Sequence, residues 1–461
     1  AQVWNTCLVF FQTVLLLGYL WAHLSLKYLG VRKQAIAHLF VVLGTTIVLP
    51  IALSPTSSPV DSASPLAWLL SLLATQVGPP LFALSATAPL VQRWLASTNY
   101  EGNEDPYFLY AASNLGSMAA LLLYPLALEP RVNVEAQSHL WSVVFALFIL
   151  VLALNIGLSW KHMKPGPKQI STEKVSGTRG RSLRWLALSA IPSSFLLGIT
   201  THITEELPAI PLLWVTPLLA YLASFVLAFS RRSILPIESI KRFYPLVIAL
   251  LALVLFLPLR ASGYFLHLGA FFLTAILLHG ELARLRPHSS QLTEYYLIMA
   301  AGGALGGTFN GLIAPIIFPF AIELPLAIFA AAALRPQAQS ARRPEAKHQV
   351  ETDTEDKDIL ASIRAERSAN QTSRKGPTKT VTQIGHAAIL ALLTMLLLYN
   401  LPVAGDSRDF FARLGVLGVT TMVVIYWRPH RLKFALGIAV ILMSGFLSFR
   451  AENTLLMTRD Y

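Results

Sequence analysis

The chain has 461 residues, of which 54% are hydrophobic and only 13% are charged, and its mean hydropathy is +0.57. The charged share is about half that of an average soluble domain, so a soluble protein is excluded, as is a disordered or collagen-like chain. Apolar segments recur along the sequence, each long enough to cross a bilayer core of roughly 30 Å as a helix. The composition predicts an all-α polytopic membrane protein, because a β-barrel would show short alternating segments.

The basic character of the chain has a topological explanation. The net charge is +12 and the isoelectric point is near 9.8. In a soluble protein this would suggest nucleic acid as a partner, but in a membrane protein the positive-inside rule accounts for it. We therefore expect no nucleic-acid partner. The single cysteine, Cys7, excludes an intrachain disulfide.

Fourteen apolar segments are predicted as transmembrane helices. In chain order they are 3–24, 35–53, 66–90, 106–127, 139–159, 185–203, 210–229, 243–259, 263–281, 294–312, 316–334, 384–402, 410–427 and 433–449. The break before the eleventh span is the weakest, because Pro315 and Pro319 lie within one long apolar stretch.

The loop charges predict the orientation of these spans. The loops 25–34, 160–184, 230–242 and 428–433 are basic, and alternation of the spans puts all four on one side, which we assign as cytoplasmic. The loop 91–105 dissents, because it is predicted on the same side and yet is acidic. The loop 160–184 resembles a linker, and 335–383 is predicted as a disordered charged loop because it has mixed charge and few aromatic residues.

A weak internal repeat predicts a two-half architecture. The segment YFLYAASNLGSMAALLLYP (107–125) aligns with LIMAAGGALGGTFNGLIAP (297–315) at a constant offset, on helices that run the same way. Parallel repeats of this kind relate the two halves of major facilitator transporters. We predict a first half at 1–159, whose first helix is expected to precede Ala1, and a second half at 185–334. Three further helices occupy 384–461.

Seven stretches resemble one family. They are VWNTCLVFFQTVLLLGYLWAHL (3–24), LFALSATAPLVQRWLA (81–96), DPYFLYAASNLGS (105–117), PSSFLLGITTHIT (192–204), PLLWVTPLLAYL (211–222), LHGELARLRP (278–287) and LTEYYLIMAAGGALGGTFN (292–310). Together they resemble the membrane portion of the bacterial fused major facilitator/spermidine synthase-like proteins. The resemblance implies a soluble aminopropyltransferase-like domain after the last helix, which is absent from this chain. Whether the protein is an enzyme is therefore open: the chain carries no catalytic constellation, no P-loop and no dinucleotide-binding motif, and we expect no cofactor.

Ionisable residues near span ends are the first candidates for binding. His202, Glu205 and Glu206 close the 185–203 span, where the carboxylates would attract a small cation, or would be solvated loop residues. His279 and Glu281 lie in or near a span, where an ionisable group is costly unless it is paired or hydrated. The alternative for Glu281 is a local ion pair with Arg284 at i,i+3. No metal site is expected, since H-E-x-x-H is absent.

Amides and tyrosines are the second set of candidates. Asn114 and Asn310 occupy corresponding regions of the two predicted halves, where they would line a central cavity or make hydrogen bonds between helices. Tyr107 and Tyr110 would form an aromatic wall for a cationic ligand, or anchor the helix at the membrane interface.

Five glycines predict close helix packing on the 294–312 span. Their spacing contains overlapping G-x-x-x-G patterns, which let helix backbones approach in lipid. They are Gly302, Gly303, Gly306, Gly307 and Gly311.

Two functions from different classes follow. The first is a transporter-like module in a bacterial inner (cytoplasmic) membrane that binds or moves a small cationic metabolite such as a polyamine. The alternative is a structural anchor, or an integral subunit among other membrane subunits, without transport activity. In either case the lipid bilayer is a partner.

Overall fold

Every secondary-structure element of the described residues is a helix in the computed structural model of the chain. The described residues are 2–51, 65–100, 105–163, 178–206, 213, 215–231, 236–257, 261–318, 320–336, 377–399 and 407–449. The α-helices are α1 (Gln2–Gly44), α2 (Pro65–Leu72), α3 (Gly78–Ala96), α4 (Phe108–Leu123), α5 (Val134–Ser159), α6 (Thr178–Glu206), α7 (Val215–Phe229), α8 (Ile237–Val254), α9 (Ala261–Arg284), α10 (Leu292–Thr308), α11 (Ala314–Ile317), α12 (Glu323–Leu334), α13 (Pro377–Tyr399), α14 (Ser407–Tyr426) and α15 (Arg431–Phe449).

The helices have the length and composition of membrane spans. Within the described residues, ten helical segments are long and apolar enough to cross a membrane, as in a multi-pass membrane protein. The coarse prediction, an all-helical chain with many apolar helices, is confirmed. This number is four lower than the fourteen predicted spans. The helix α1 covers the first two predicted spans, α7 and α12 are shorter apolar helices, and the 18-residue α8 carries three charged residues.

Gly30 separates two helical parts of α1. Its φ of 72° and ψ of 171° are non-helical, whereas the sequence predicted a loop over 25–34. That combination of angles is open almost only to glycine, because a Cβ atom would collide with the backbone. The basic loop is thus reduced to a single residue, and helix continues on both sides of it.

Replacing Gly30 by alanine is expected to destabilise the fold by about 1–3 kcal/mol, because the backbone angles exclude a side chain. No other atom lies within 4 Å of a Cβ placed there, so the effect reports backbone strain alone. Gly44→Ala is the matched control, since Gly44 has helical angles and equally open space. The apparent melting temperature in detergent micelles measures both, and equal values for the two variants would contradict the assignment.

Three π-helical turns lie close to prolines, and two of them, before Pro79 and Pro315, are followed by further helix. The turns are Leu73–Val77, Tyr124–Leu128 and Phe309–Ile313, and a proline follows each of them two residues after its end. Proline cannot donate a backbone hydrogen bond and its ring clashes with the preceding turn, which a widened turn relieves. For this reason the chain stays helical through the break predicted near Pro315, and the helix ends at Ile317.

Two contacts join loops that were predicted on the same side of the membrane. The guanidinium of Arg32 donates to the carbonyl of Met163 across 3.1 Å, which joins the first and third loops predicted on the cytoplasmic side. Arg286 pairs with Asp105 at 3.0 Å, which joins the loop after α9 to the acidic loop that dissents from the charge rule. Arg286 thus compensates one acidic residue of that loop.

The helices form two compact units. The first contains α1–α7, α9–α11 and the start of α12, and the second contains α8, the rest of α12 and α13–α15. The predicted division into halves at 1–159 and 185–334, with its linker, stays a prediction. Residues 337–376 of the predicted disordered loop 335–383 lie outside the described residues, whereas its last seven residues, 377–383, belong to the helix α13.

A buried arginine organises the second unit. Arg335 follows α12, lies over the ring of Phe434 at 4.3 Å and donates to the carbonyl of Arg428. Burial lowers the pKa of Arg335 to about 10, which leaves the guanidinium charged at neutral pH. Its cation–π contact and its backbone hydrogen bond therefore join the end of α12 to the turn between α14 and α15.

Candidate functional site

Six tyrosines meet in the first unit. We call them the tyrosine cluster: Tyr19, Tyr107, Tyr110, Tyr221, Tyr295 and Tyr296. Tyr110, on α4, is central, because its ring centroid lies 5.0 Å from that of Tyr296 and 5.2 Å from that of Phe225. Phe225 lies on α7 in a stripe with Tyr221 and Phe229 at four-residue spacing, which places the three on one helix face. The cluster therefore joins α1, α4, α7 and α10.

Three of the hydroxyls have structural partners. Tyr107 donates to the carbonyl of Pro287 at 2.8 Å, and Tyr295 donates to the carbonyl of Leu282 at 2.9 Å. Tyr296 donates to Gln92 Oε1 at 2.7 Å. Each bond satisfies a polar group that burial would otherwise leave unpaired. These tyrosines hold helices and loops together, and Tyr107 in particular is fixed by its hydroxyl rather than free to bind.

The other three tyrosines are grouped around shared aromatic neighbours. The ring centroids of Tyr19 and Tyr110 lie 6.4 and 5.0 Å from that of Tyr296, and those of Tyr110 and Tyr221 each lie 5.2 Å from that of Phe225. The side chain of Asn114 also adjoins the Tyr110 hydroxyl, while its amide donates to the Tyr110 carbonyl at 2.8 Å. Within the described part of the chain, the hydroxyls of Tyr19 and Tyr221 make no hydrogen bond. They are therefore available to a bound ligand or to water.

His279 flanks this group as a neutral acceptor. Its ring stacks on Phe225 with centroids 3.7 Å apart and lies edge-on to Tyr221 at 5.2 Å. Ser224 donates its only hydroxyl proton to the Tyr221 carbonyl, so His279 Nδ1 must donate to Ser224 Oγ across 2.7 Å. Nε2 is then unprotonated, and it is buried without a hydrogen-bond partner among the described residues.

Glu281 is already compensated by two arginines. Its carboxylate accepts two hydrogen bonds from Arg284, at 2.8 and 2.7 Å, and it also pairs with Arg184 from α6. The Glu281 side chain is only 5% exposed, whereas those of Arg184 and Arg284 are 44% and 64% exposed. The local ion pair between Glu281 and Arg284, which was one of the two alternatives predicted from the sequence, is present. Because Arg184 adds a second positive charge, Glu281 has little negative charge left to attract a cation.

Asn310 makes hydrogen bonds to two helices. Its Nδ2 donates to Ser194 Oγ on α6 at 2.7 Å and to the carbonyl of Gly306 at 3.0 Å. The amide therefore links α6 to the π turn after α10, as expected for an interhelical bond. The structure does not bring Asn310 into contact with the tyrosine cluster, unlike Asn114.

His202 lies apart from the tyrosine cluster. Its ring centroid is 5.0 Å from that of His267 on α9. The helix α6 extends as far as Glu206, but the side chains of Glu205 and Glu206 lie outside the described residues. Of the predicted binding residues His202, Glu205 and Glu206, only the side chain of His202 is therefore described.

Three of the five predicted packing glycines lie where a side chain would collide. A Cβ on Gly302 would be 2.0 Å from Ser189 Oγ, and one on Gly306 would be 2.3 Å from the carbonyl oxygen of Ala190. Gly307 faces the Gln12 side chain of α1 equally closely. By contrast, no atom lies within 4 Å of a Cβ on Gly303. Gly311 is buried in the π turn.

The sequence did not indicate the cluster members Tyr19, Tyr221, Tyr295 and Tyr296, or their neighbour Phe225. The stripe on α7 was readable from its four-residue spacing, but such a stripe does not reveal which helix it faces. Among the described residues, no three His, Cys, Asp or Glu side chains come together as a metal site. No protein-family model and no curated protein matches this chain.

Proposed function

We propose that the first unit binds a small organic cation between α1, α4 and α7, beside Tyr19, Tyr110 and Tyr221. The single observation that carries this proposal is the grouping of these three tyrosine rings, from three helices, around the rings of Tyr296 and Phe225. Aromatic faces attract ammonium groups, and hydroxyl oxygens accept their hydrogen bonds. A polyamine combines ammonium groups with a methylene chain, and therefore suits a site that is both aromatic and polar.

The neighbouring contacts support a cation bound by rings rather than by carboxylates. The buried Nε2 of His279 is an acceptor without a partner in the described chain, next to Tyr221. Glu281 is neutralised by Arg184 and Arg284. A desolvated cation–π contact contributes about 2 kcal/mol, so affinity in this site comes from several moderate contacts.

The proposal extends to a transporter-like role in a bacterial inner membrane. Helices of membrane-spanning character, basic loops on one predicted side and the weak repeat between 107–125 and 297–315 support a major-facilitator-like arrangement. With the resemblance to fused spermidine synthase-like proteins, these features favour a polyamine or a related amine as the ligand. The ligand would then cross by rocking of two halves around the tyrosine cluster.

Removing rings from the site is expected to weaken spermidine binding. Tyr110→Leu and Tyr221→Leu should each raise the Kd by about five- to thirtyfold, because each loses a cation–π contact of about 1–2 kcal/mol. Tyr28→Leu is the control, since Tyr28 is an exposed tyrosine on the same helix as Tyr19. Equilibrium binding of radiolabelled spermidine to the purified protein measures all three. Equal affinities for all the variants would contradict the assignment of the site.

A second candidate function is a structural one, as an anchor or a subunit of a larger membrane complex. The observation that favours it is the bonding of Asn310 to Ser194 and Gly306, which uses the amide for packing. This function predicts no saturable amine binding and no amine uptake in proteoliposomes. It also predicts that the protein copurifies with other membrane subunits after mild solubilisation.

A further inference from the structure

Two histidines face each other away from the tyrosine cluster. His202 lies near the end of α6 and His267 near the start of α9, and their ring planes are 30° apart with centroids separated by 5.0 Å. Both positions lie near the ends of apolar helical segments, His202 near the end of Gly180–Thr204 and His267 near the start of Gly263–Arg284. The second histidine of α9, His279, is about 18 Å farther along the helix axis at about 1.5 Å per residue.

One ring nitrogen of each histidine, Nε2, is left without a hydrogen-bond partner in the part of the chain that the structure describes. His267 Nδ1 is 2.8 Å from the carbonyl of Gly263, which can only accept, so Nδ1 carries the proton and Nε2 of the neutral ring has a free lone pair. Nε2 of His267 and Nε2 of His202 are both buried without a hydrogen-bond partner in the described part of the chain. Buried polar atoms are almost always satisfied by protein, water or an ion.

We propose that His202 and His267 bind one transition-metal dication of the Zn²⁺ class through their Nε2 atoms. Imidazole nitrogen suits zinc, copper and nickel, and does not suit Mg²⁺ or Ca²⁺. Metal–nitrogen bonds of about 2.0–2.1 Å place each ring centroid about 3.2 Å from the ion, so a tetrahedral ion holds two centroids about 5 Å apart. The observed separation of 5.0 Å fits this geometry.

The tautomer of His267 is already the one that a metal ligand needs. Histidine ligands usually donate their other ring N–H to a carbonyl or carboxylate, which fixes the ring and raises its basicity. The bond from His267 Nδ1 to the Gly263 carbonyl is a contact of this kind. Because two protein ligands leave coordination positions open, water completes the shell.

Metal titration of the full-length chain in detergent tests the proposal. We expect one equivalent of Zn²⁺ to bind and to raise the melting temperature, and Co²⁺ to give the visible absorption bands of a tetrahedral nitrogen site. His202→Ala and His267→Ala should each weaken binding by at least about tenfold, because each removes one of two protein ligands. His288→Ala, which removes an exposed histidine, should leave the affinity unchanged.

Melting temperatures without metal show whether each variant is folded, and His202→Gln provides a milder change at the half-buried ring. Loss of the Zn²⁺-induced shift in a folded His202→Gln protein would support the site. Absence of saturable Zn²⁺ binding in the wild type would mean that water alone satisfies these nitrogens, and would overturn the proposal. Unchanged Zn²⁺ affinity in both the His202→Ala and the His267→Ala variants would overturn it equally.

Discussion

Replacing Gly306 by alanine is expected to lower the apparent melting temperature strongly, with a loss of about 2–4 kcal/mol of stability. The new Cβ would lie 2.3 Å from the carbonyl oxygen of Ala190 and 2.9 Å from the backbone nitrogen of Ser194, both on α6. Backbone atoms cannot rotate away, so α6 and α10 must separate, at the upper end of the usual range for overpacking. The closeness of these helices also supports the bond from Ser193 Oγ to the Gly303 carbonyl, at 2.9 Å.

Gly303→Ala provides the matched control on the same helix. Because no atom lies within 4 Å of its Cβ position, alanine should be neutral or slightly stabilising there. Thermal unfolding in detergent micelles measures both variants. If Gly303→Ala were as harmful as Gly306→Ala, helix propensity rather than the contact of α10 with α6 would explain the glycines.

Removing both arginines from Glu281 is expected to destabilise the protein by about 3–5 kcal/mol, because the buried carboxylate would lose the two guanidinium groups that pair with it. The variant is Arg184→Gln combined with Arg284→Gln. Adding Glu281→Gln should recover most of the loss, since a neutral amide no longer needs the compensation. Melting temperatures of the double and triple variants give the result.

Arg286→Gln provides the comparison with an exposed ion pair. The side chains of Arg286 and Asp105 are both exposed to solvent, so loss of this ion pair should cost about 0–1 kcal/mol of stability. A triple variant no more stable than the double variant would contradict the view that buried charge on Glu281 determines the effect.

Most helices could be predicted from the sequence, because an apolar span can be recognised from its own residues and those of the adjoining loops. Apolar length and loop charge define a span, whatever the span later packs against. The exceptions were also local. Gly30 replaces a whole loop through a single backbone conformation, and the π turn before Pro315 keeps a helix intact where a break was expected.

The candidate site was harder to predict, because it depends on contacts between distant segments. Tyr110 and His279 were identified individually, but nothing in the sequence indicates that Tyr19 and Tyr221 approach Tyr110. The same holds for Glu281: its i,i+3 partner Arg284 was readable, whereas Arg184 comes from another helix. The expectation that Glu281 attracts a cation loses support for that reason.

Direct binding of spermidine to the purified wild-type chain tests whether the tyrosine cluster holds a small organic cation. We expect saturable binding at one site, with no binding of an uncharged diol of similar chain length, because the rings attract the ammonium charge. We also expect Tyr110→Leu to weaken that binding. Absence of saturable spermidine binding, or equal binding of the diol, would contradict this proposal.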